Sequence, residues 1–194
     1  MTIRPALDPK LLLHVTKRAE WRAWLRRRHK SAKEVWLVFN KKHTGRPRVS
    51  YNDAVEEALA FGWIDSTVRK VDKDRYAQRF TPRRTGSPYS QANRERLRAM
   101  ARQGKVAKDV LAKLGDVIAV EELRIAPDIL QALKADQAAW ENFGPFSESY
   151  KRIRIGYIEG ARARPDEFAK RLRHFVAMTK KNRLIGYGGI DKHY

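Results

Sequence analysis

The sequence predicts an α+β fold in which a small antiparallel sheet is followed by a helical C-terminal half. Three early runs alternate with a period of two residues, as strands do, over residues 34–42, 63–71 and 75–82. From about residue 127 onward, apolar residues instead recur every three or four positions, which is typical of amphipathic helices. Because strands and helices are segregated along the chain, the pattern favours α+β over an alternating α/β fold.

The three predicted strands differ in their expected positions in the sheet. The first, EVWLVFNKK at 34–42, is apolar on both faces, which predicts a central strand. The other two are joined by a short Asp-Lys-Asp connection, so we expect a hairpin. A helix is predicted over 50–62, because Ser50 and Asp53 have the capping-box spacing and small apolar residues follow on one face. Trp63 and Phe80 are expected in the core between this helix and the sheet.

The charge distribution predicts two regions. Residues 17–48 are strongly basic, whereas residues 116–150 are mainly acidic, and such a change of sign indicates a boundary. We therefore expect an α+β domain over residues 1–118 and a helical C-terminal region over residues 119–194. In the second region, Pro127, Ser147 and Pro165 stand where helices are expected to begin.

The chain as a whole is strongly basic, with a formal net charge of +20 and a pI near 10.5. This excess attracts polyanions such as nucleic acids, nucleotide phosphates or an anionic membrane surface. The alternative is that the charge serves solubility or reflects an arginine-rich proteome. The chain contains no cysteine, which excludes disulfides, thiolate metal sites and a cysteine nucleophile.

The sequence predicts a cytoplasmic protein without a transmembrane segment. No apolar run approaches the ~20 residues of a membrane span. The first ten residues, MTIRPALDPK, carry Pro5, Asp8 and Pro9 where a signal peptide would have its apolar centre.

An anion-binding site is predicted where the third strand leads through TPRRTGSP into a helix. The candidate residues are Arg79, Arg83, Arg84, Ser90 and Asn93. Free N–H groups at a helix N-terminus and nearby guanidinium groups together suit a phosphate or carboxylate. The alternatives are a solvated turn, or arginines that pair with the acidic 116–150 region.

A pocket is predicted around Trp63, Asp65 and Arg69, which alternate along the second strand and are expected to face one way. Asp65 is a candidate general base or ligand. Its alternative role is structural, as the partner of Arg69 or of Arg79 on the next strand. No GxSxG, P-loop or GxGxxG motif is present. The sequence therefore does not decide whether the protein is an enzyme.

Two further features of the sequence bear on ligand binding. The arginine-rich helix NRERLRAMARQGK is either a solvated helix or one that lies along a nucleic-acid backbone without sequence preference. The five histidines form no HxxxH or HxH pair, so no metal site and no cofactor are predicted.

Several segments resemble a known bacterial family. They are SYNDAVEEALAFGWIDS, DRYAQRFTPRR, SPYSQANRERL and the helical stretch over residues 130–182. Together they are similar to the YdeI/OmpD-associated (OmdA-like) bacteriocin-protection family, most densely over residues 51–104. The resemblance implies a stress-response protein linked to protection against bacteriocins or cationic antimicrobial peptides, and it carries no catalytic residues with it.

Three functions follow as expectations. A protein of +20 repels cationic peptides, so protection by binding an anionic partner is easier to reconcile with the charge than direct capture. The first alternative is an enzyme that acts on a phosphorylated or carboxylated small molecule through Asp65 and the arginine cluster. The second is non-specific nucleic-acid binding.

Overall fold

The structure is a computed structural model that describes residues 7–120, 122–186 and 190–193. Pro5, on which part of the signal-peptide argument depends, lies outside these residues. The chain forms two compact units: Met1–Ser87 with Gln103–Lys113, and Pro88–Arg102 with Leu114–Tyr194. The predicted domain boundary between residues 118 and 119 stays a prediction.

The described chain contains four strands and eight α-helices. The strands are β1 (Leu12–His14), β2 (Val35–Asn40), β3 (Trp63–Lys70) and β4 (Arg75–Pro82). The helices are α1 (Arg18–Arg28), α2 (Tyr51–Ala60), α3 (Gln91–Arg102), α4 (Lys108–Leu114), α5 (Pro127–Lys134), α6 (Gln137–Phe143), α7 (Glu148–Glu159) and α8 (Pro165–Lys180). Short 3-10 helices occur at Pro9–Leu11, Lys42–Thr44, Gly115–Val117 and Ile190–His193.

The first unit contains a four-stranded mixed sheet with the order β1-β2-β4-β3. The three predicted strands and the β3–β4 hairpin are confirmed, and β2 is central as expected. The prediction of a purely antiparallel three-stranded sheet is wrong, because β1 pairs with β2 in parallel. Strand β1 has three residues, which is too short for a period of two to be visible in the sequence.

Helices α1 and α2 cover one face of this sheet. The indole of Trp21 lies 5.3 Å from the ring of Phe80 and donates a hydrogen bond to the Ala54 carbonyl at 3.0 Å. Trp63 and Phe80 are buried in the core, as predicted. Ser50 caps α2 by accepting a hydrogen bond from the Asp53 amide at 3.0 Å, which confirms the predicted helix start.

The opposite face of the sheet is covered by the N-terminal segment. On this face, the buried residues of the sheet are Trp36, Val38 and Ala77. Partly buried leucines from β1 and from the segment before it pack on them. Both faces of β2 are therefore buried, which explains why its side chains are apolar on both faces.

A β-bulge interrupts the pairing of β3 with β4. Asp65 lies opposite Phe80, but the register shifts before Val68, so that Arg69 lies opposite Ala77. Since Phe80 and Ala77 are an odd number of residues apart, Asp65 and Arg69 point to opposite faces of the sheet. The expectation that they face the same way is wrong, because regular alternation does not hold across the bulge.

The second unit is helical, which confirms the predicted C-terminal half. Helices α5 to α8 enclose one apolar core, formed by Ile129, Leu133, Phe143, Tyr150, Ile155, Ile158 and Phe175. Ser147 caps α7 by accepting from the Tyr150 amide at 3.2 Å, and prolines begin α5 and α8 as expected. No helix in the described parts of the chain has the length and apolar character needed to cross a membrane.

Candidate functional site

Asp65 is held between β4 and α2 on the helix-covered face of the sheet. Its Oδ2 accepts hydrogen bonds from the Tyr51 hydroxyl at 2.9 Å and from the Gln78 amide at 3.2 Å. The carboxylate is half-buried, and Gln78 is buried. The expected pairing of Asp65 with Arg69 or Arg79 is not observed, because both arginines lie on the opposite face of the sheet.

Trp63 is part of the core of the first unit. Its side chain is 1% exposed, its indole donates to the His29 carbonyl at 3.1 Å, and its ring meets Trp24 edge-on at 5.6 Å. These contacts show that Trp63 packs in the core. A ligand-binding role for Trp63 stays a prediction.

Arg69 and Arg79 lie on the opposite face of the sheet from Asp65. Arg79 donates to Glu34 Oε2 through its Nε at 2.8 Å and through Nη2, and the Arg69 guanidinium lies 5.4 Å from the centre of the Trp36 ring. Both arginines line a cavity of about 310 Å³. The other residues that line it are Leu7, Asp8, Glu34, Trp36 and Thr67. The structure thus brings two of the predicted cations together and separates both from Asp65.

The Arg83–Ser87 loop follows β4. The amide of Arg83 donates to the Gly62 carbonyl at 2.9 Å, and its Nη2 donates to the Ser87 carbonyl at 3.0 Å. The Ser87 amide donates back to the Arg84 carbonyl at 3.2 Å, and Gly86 provides the positive φ of +78° that the turn requires. Arg83 therefore closes its own loop, whereas the side chain of Arg84 is exposed.

Ser90 and Asn93 belong to the second unit, whereas Arg79, Arg83 and Arg84 belong to the first. Ser90 Oγ accepts from the Asn93 amide at 3.3 Å, as an N-cap does, and Asn93 Oδ1 accepts from Arg96 at 2.9 Å. The five anion-site candidates thus form two groups, each described within its own unit. Their joint action on one ligand stays a prediction.

Helix α3 turns part of its charge inward. Arg96 and Arg98 are buried, and Arg98 donates to Glu95 at 2.6 Å and to the carbonyls of Ile118, at 3.2 Å, and Ala119. Glu95 also accepts from Arg152 of α7 at 2.8 Å. At Arg96 and Arg98, α3 is therefore neither a solvated basic helix nor a helix that contacts phosphates, and both expectations are wrong there. The apolar residues Leu97 and Met100 were the sequence signal that marks the inward face.

An ion-pair network joins α1 to α2, and the sequence arguments missed it. Arg18 contacts Asp53 at 2.5 Å, Glu56 at 3.0 Å and Glu57 at 2.5 Å, while Arg22 contacts Glu57 at 2.6 Å. Burial lowers the pKa of Arg18, but the hydrogen bond to Glu57 and the three negative charges outweigh it and raise that pKa above its ordinary value. Two adjacent glutamates between apolar residues of α2, Val55 and Ala58, were the available signal.

The end of α1 and the loop that follows it carry exposed cations. Arg26, Arg27, Arg28 and Lys33 are exposed, and none of them has a carboxylate partner among the residues that the structure describes. The three arginines are consecutive, so their side chains fan around the helix end about 100° apart. These four residues are called the α1 cationic surface below.

No group of three or more histidine, aspartate or glutamate side chains suited to a metal ion occurs in the described ranges. The geometry of the first unit therefore consists of a hydrogen-bonded carboxylate, an arginine-lined cavity and an exposed cationic helix end.

Two family models match the chain. Residues 13–113 match the family described as "Domain of unknown function (DUF8412)", and residues 122–182 match the family described as "Bacteriocin-protection, YdeI or OmpD-Associated". The predicted resemblance to the second family is confirmed, but the densest block was expected over residues 51–104, which lie within the first match. No curated protein and no solved structure matches the chain significantly. The chain therefore belongs to the DUF8412 family over more than half of its length, and α5 to α8 carry the bacteriocin-protection, YdeI or OmpD-associated region.

Proposed function

We propose that this protein is a non-catalytic binding protein that holds an anionic partner and thereby contributes to protection against bacteriocins or cationic antimicrobial peptides. The family match over residues 122–182 supports the link with bacteriocin protection. The α1 cationic surface carries the proposal of an anionic partner, because its exposed positive charges are not neutralised within the described chain.

The internal use of the acidic residues strengthens this argument. The chain has 42 lysines and arginines against 22 acids, and several of those acids are engaged inside each unit. Glu57 is buried against Arg18 and Arg22, and Glu95 against Arg98 and Arg152. The positive charge that remains outside is therefore available to an external anion.

Direct capture of a cationic peptide is disfavoured by the same charge. Like charges repel at long range and slow association, whereas a polyanion is attracted and releases its counterions on binding. The proposal retains the expected cytoplasmic location, from which protection is indirect. The physiological effect then depends on the bound partner and not on contact with the peptide.

The alternative of an enzyme has less support. It requires Asp65 and the arginine cluster to face one ligand, but Asp65 lies on the helix-covered face of the sheet while Arg69 and Arg79 line a cavity on the other. Non-specific nucleic-acid binding also loses part of its basis, since Arg96 and Arg98 of α3 are buried. Nucleic acid remains one of the polyanions to be tested.

A salt titration of polyanion binding tests the proposal. A fluorescent single-stranded oligonucleotide and a polyphosphate are titrated with protein from low to physiological salt, and polarisation is recorded. The variant Arg26→Gln, Arg27→Gln, Arg28→Gln is compared with the unchanged protein. Each lost phosphate contact should reduce the slope of log affinity against log salt by about 0.7–0.9.

A charge-matched control separates a local site from net charge. The variant Lys113→Gln, Arg173→Gln, Lys181→Gln removes three exposed cations elsewhere and should keep the original slope. Absence of binding at low salt, or an equal loss in both variants, would overturn the proposal. Restoration of bacteriocin resistance in a gene-deleted strain by the control variant, but not by the arginine variant, links the binding to the phenotype.

A further inference from the structure

We propose that the cleft between α7 and α8 binds a small amphiphilic anion, whose apolar body lies on the cleft floor and whose carboxylate or phosphate group lies beside Lys170 and His174. The cleft has a volume of about 190 Å³ and lies within the second unit. This site is separate from the α1 cationic surface and takes a different class of ligand.

The floor of the cleft is apolar. Ile158 and Phe175 belong to the core of the helical unit and are about 1% exposed, yet both also line the cleft, together with Ile185. Tyr157 forms part of the wall and is 52% exposed, which is high for an aromatic side chain. A concave apolar surface with a few polar groups at its margin is the usual form of a small-molecule site.

The acid of the cleft is already neutralised. Glu167 accepts a hydrogen bond from Arg171 Nε at 2.8 Å, and this bond holds the pKa of Glu167 below its ordinary value. Arg171 also donates to the Tyr157 carbonyl at 2.6 Å and stacks on the Tyr157 ring at 3.8 Å from its centre. One wall of the cleft is therefore formed by Arg171, Glu167 and Tyr157, which are held together by these contacts. In this wall, the negative charge of Glu167 is compensated by Arg171.

Apart from Glu167, the ionisable side chains that line the cleft are basic. Lys170 and His174 are exposed and lie four residues apart on one side of α8, and the charge of Lys170 adds to that of Arg171 in lowering the pKa of Glu167. Arg154 lines the cleft from α7 and is only 7% exposed, so its charge acts through a medium of lower dielectric constant than water. The field inside the cleft therefore favours an anion.

The size of the cleft limits the ligand. Typical drug-sized ligands occupy pockets of roughly 300–1,000 Å³, and this cleft is smaller. A single aromatic ring or a short acyl chain with one anionic group matches its volume, its apolar floor and its basic rim. A polyanion does not match the cleft, because it needs a series of cationic contacts and the floor consists of three apolar side chains.

A panel of small probes tests this inference on the full chain. Benzoate and phenyl phosphate carry both the ring and the anion, benzamide carries the ring without the charge, and inorganic phosphate carries the charge without the ring. Isothermal calorimetry and thermal shift should detect benzoate or phenyl phosphate, since a ligand that binds only the folded state raises the melting temperature. The comparison of these two also separates carboxylate from phosphate recognition.

Variants of α8 locate the site. Lys170→Ala with His174→Ala should weaken binding of the detected anion about tenfold, as expected for the loss of charge-assisted contacts. Arg173→Ala, an exposed cation of the same helix that does not line the cleft, should leave the affinity unchanged. Failure of both anionic probes to bind, equal binding of benzamide, or equal weakening by Arg173→Ala would overturn the inference.

Discussion

Gly156 of α7 lies against Gln91 at the start of α3, within the second unit. A Cβ atom at position 156 would lie 2.8 Å from Gln91 Cβ and 3.4 Å from Gln91 Cγ. The first distance is far below van der Waals contact, and Gln91 Cβ is attached to the backbone, so a rotamer change does not remove the overlap. Gly156→Ala therefore forces α3 and α7 apart.

Two opposing effects decide the size of this change. Alanine is favoured over glycine inside a helix by about 0.8–1 kcal/mol. Overpacking of a close contact costs about 1–3 kcal/mol, and the shift also strains the Glu95–Arg152 hydrogen bond of 2.8 Å between the same helices. We expect the steric effect to prevail and the free energy of unfolding to fall by about 1–2 kcal/mol.

Urea unfolding followed by circular dichroism measures the effect, and Gly144→Ala is its matched control. Gly144 has helical dihedral angles (φ −52°, ψ −56°), and a Cβ there would meet the Glu141 carbonyl at 3.6 Å, an ordinary contact distance, so this variant should be neutral or slightly stabilised. Gln91→Gly in the Gly156→Ala background should restore most of the lost stability. A Gly156→Ala protein stabilised by about 1 kcal/mol, or one that Gln91→Gly does not rescue, would refute the reasoning.

Three further predictions concern the core, the ion pairs and pH. Trp63→Ala should lower the free energy of unfolding by about 3–5 kcal/mol, as measured by urea denaturation, because its buried ring leaves a large cavity. Glu57→Ala should cost about 2–3 kcal/mol in the same assay, because it leaves the partly buried Arg22 without its carboxylate. Hydrogen bonds from Lys180 and the Ala139 amide lower the pKa of Asp136, so its stabilising contribution is present above the unfolded pKa of about 3.9 and is lost as pH falls through the lower folded value. Unfolding measured across this range should show less acid dependence in Asp136→Asn.

Each of these predictions has a contradicting result. Trp63→Ala should lose more stability than Trp140→Ala, because Trp140 is 40% exposed, and equal losses would place Trp63 outside the core. A double-mutant cycle of Glu57→Ala with Arg22→Ala should show coupling, and additive losses would show that the ion pair contributes nothing. An unchanged acid dependence in Asp136→Asn would show that its carboxylate is not linked to folding.

The secondary structure of this protein was largely readable from local sequence patterns. The β2, β3 and β4 strands were predicted to within two residues at each end, and the cap at Ser50 and the helical second unit were predicted correctly. These features depend on residue spacing along one segment, which the sequence displays directly. The strand β1 escaped prediction because three residues contain no measurable period.

The arrangement of charged side chains was decided by tertiary structure. The bulge in β3 separates Asp65 from Arg69, although both were expected on one face, and Asp65 is held by Tyr51 and Gln78 from other elements. The inward arginines of α3, the ion pairs between α1 and α2 and the cleft between α7 and α8 all depend on partners distant in sequence. A charged residue is buried only where the fold supplies a partner, and spacing along one segment does not reveal which partner the fold will bring to it.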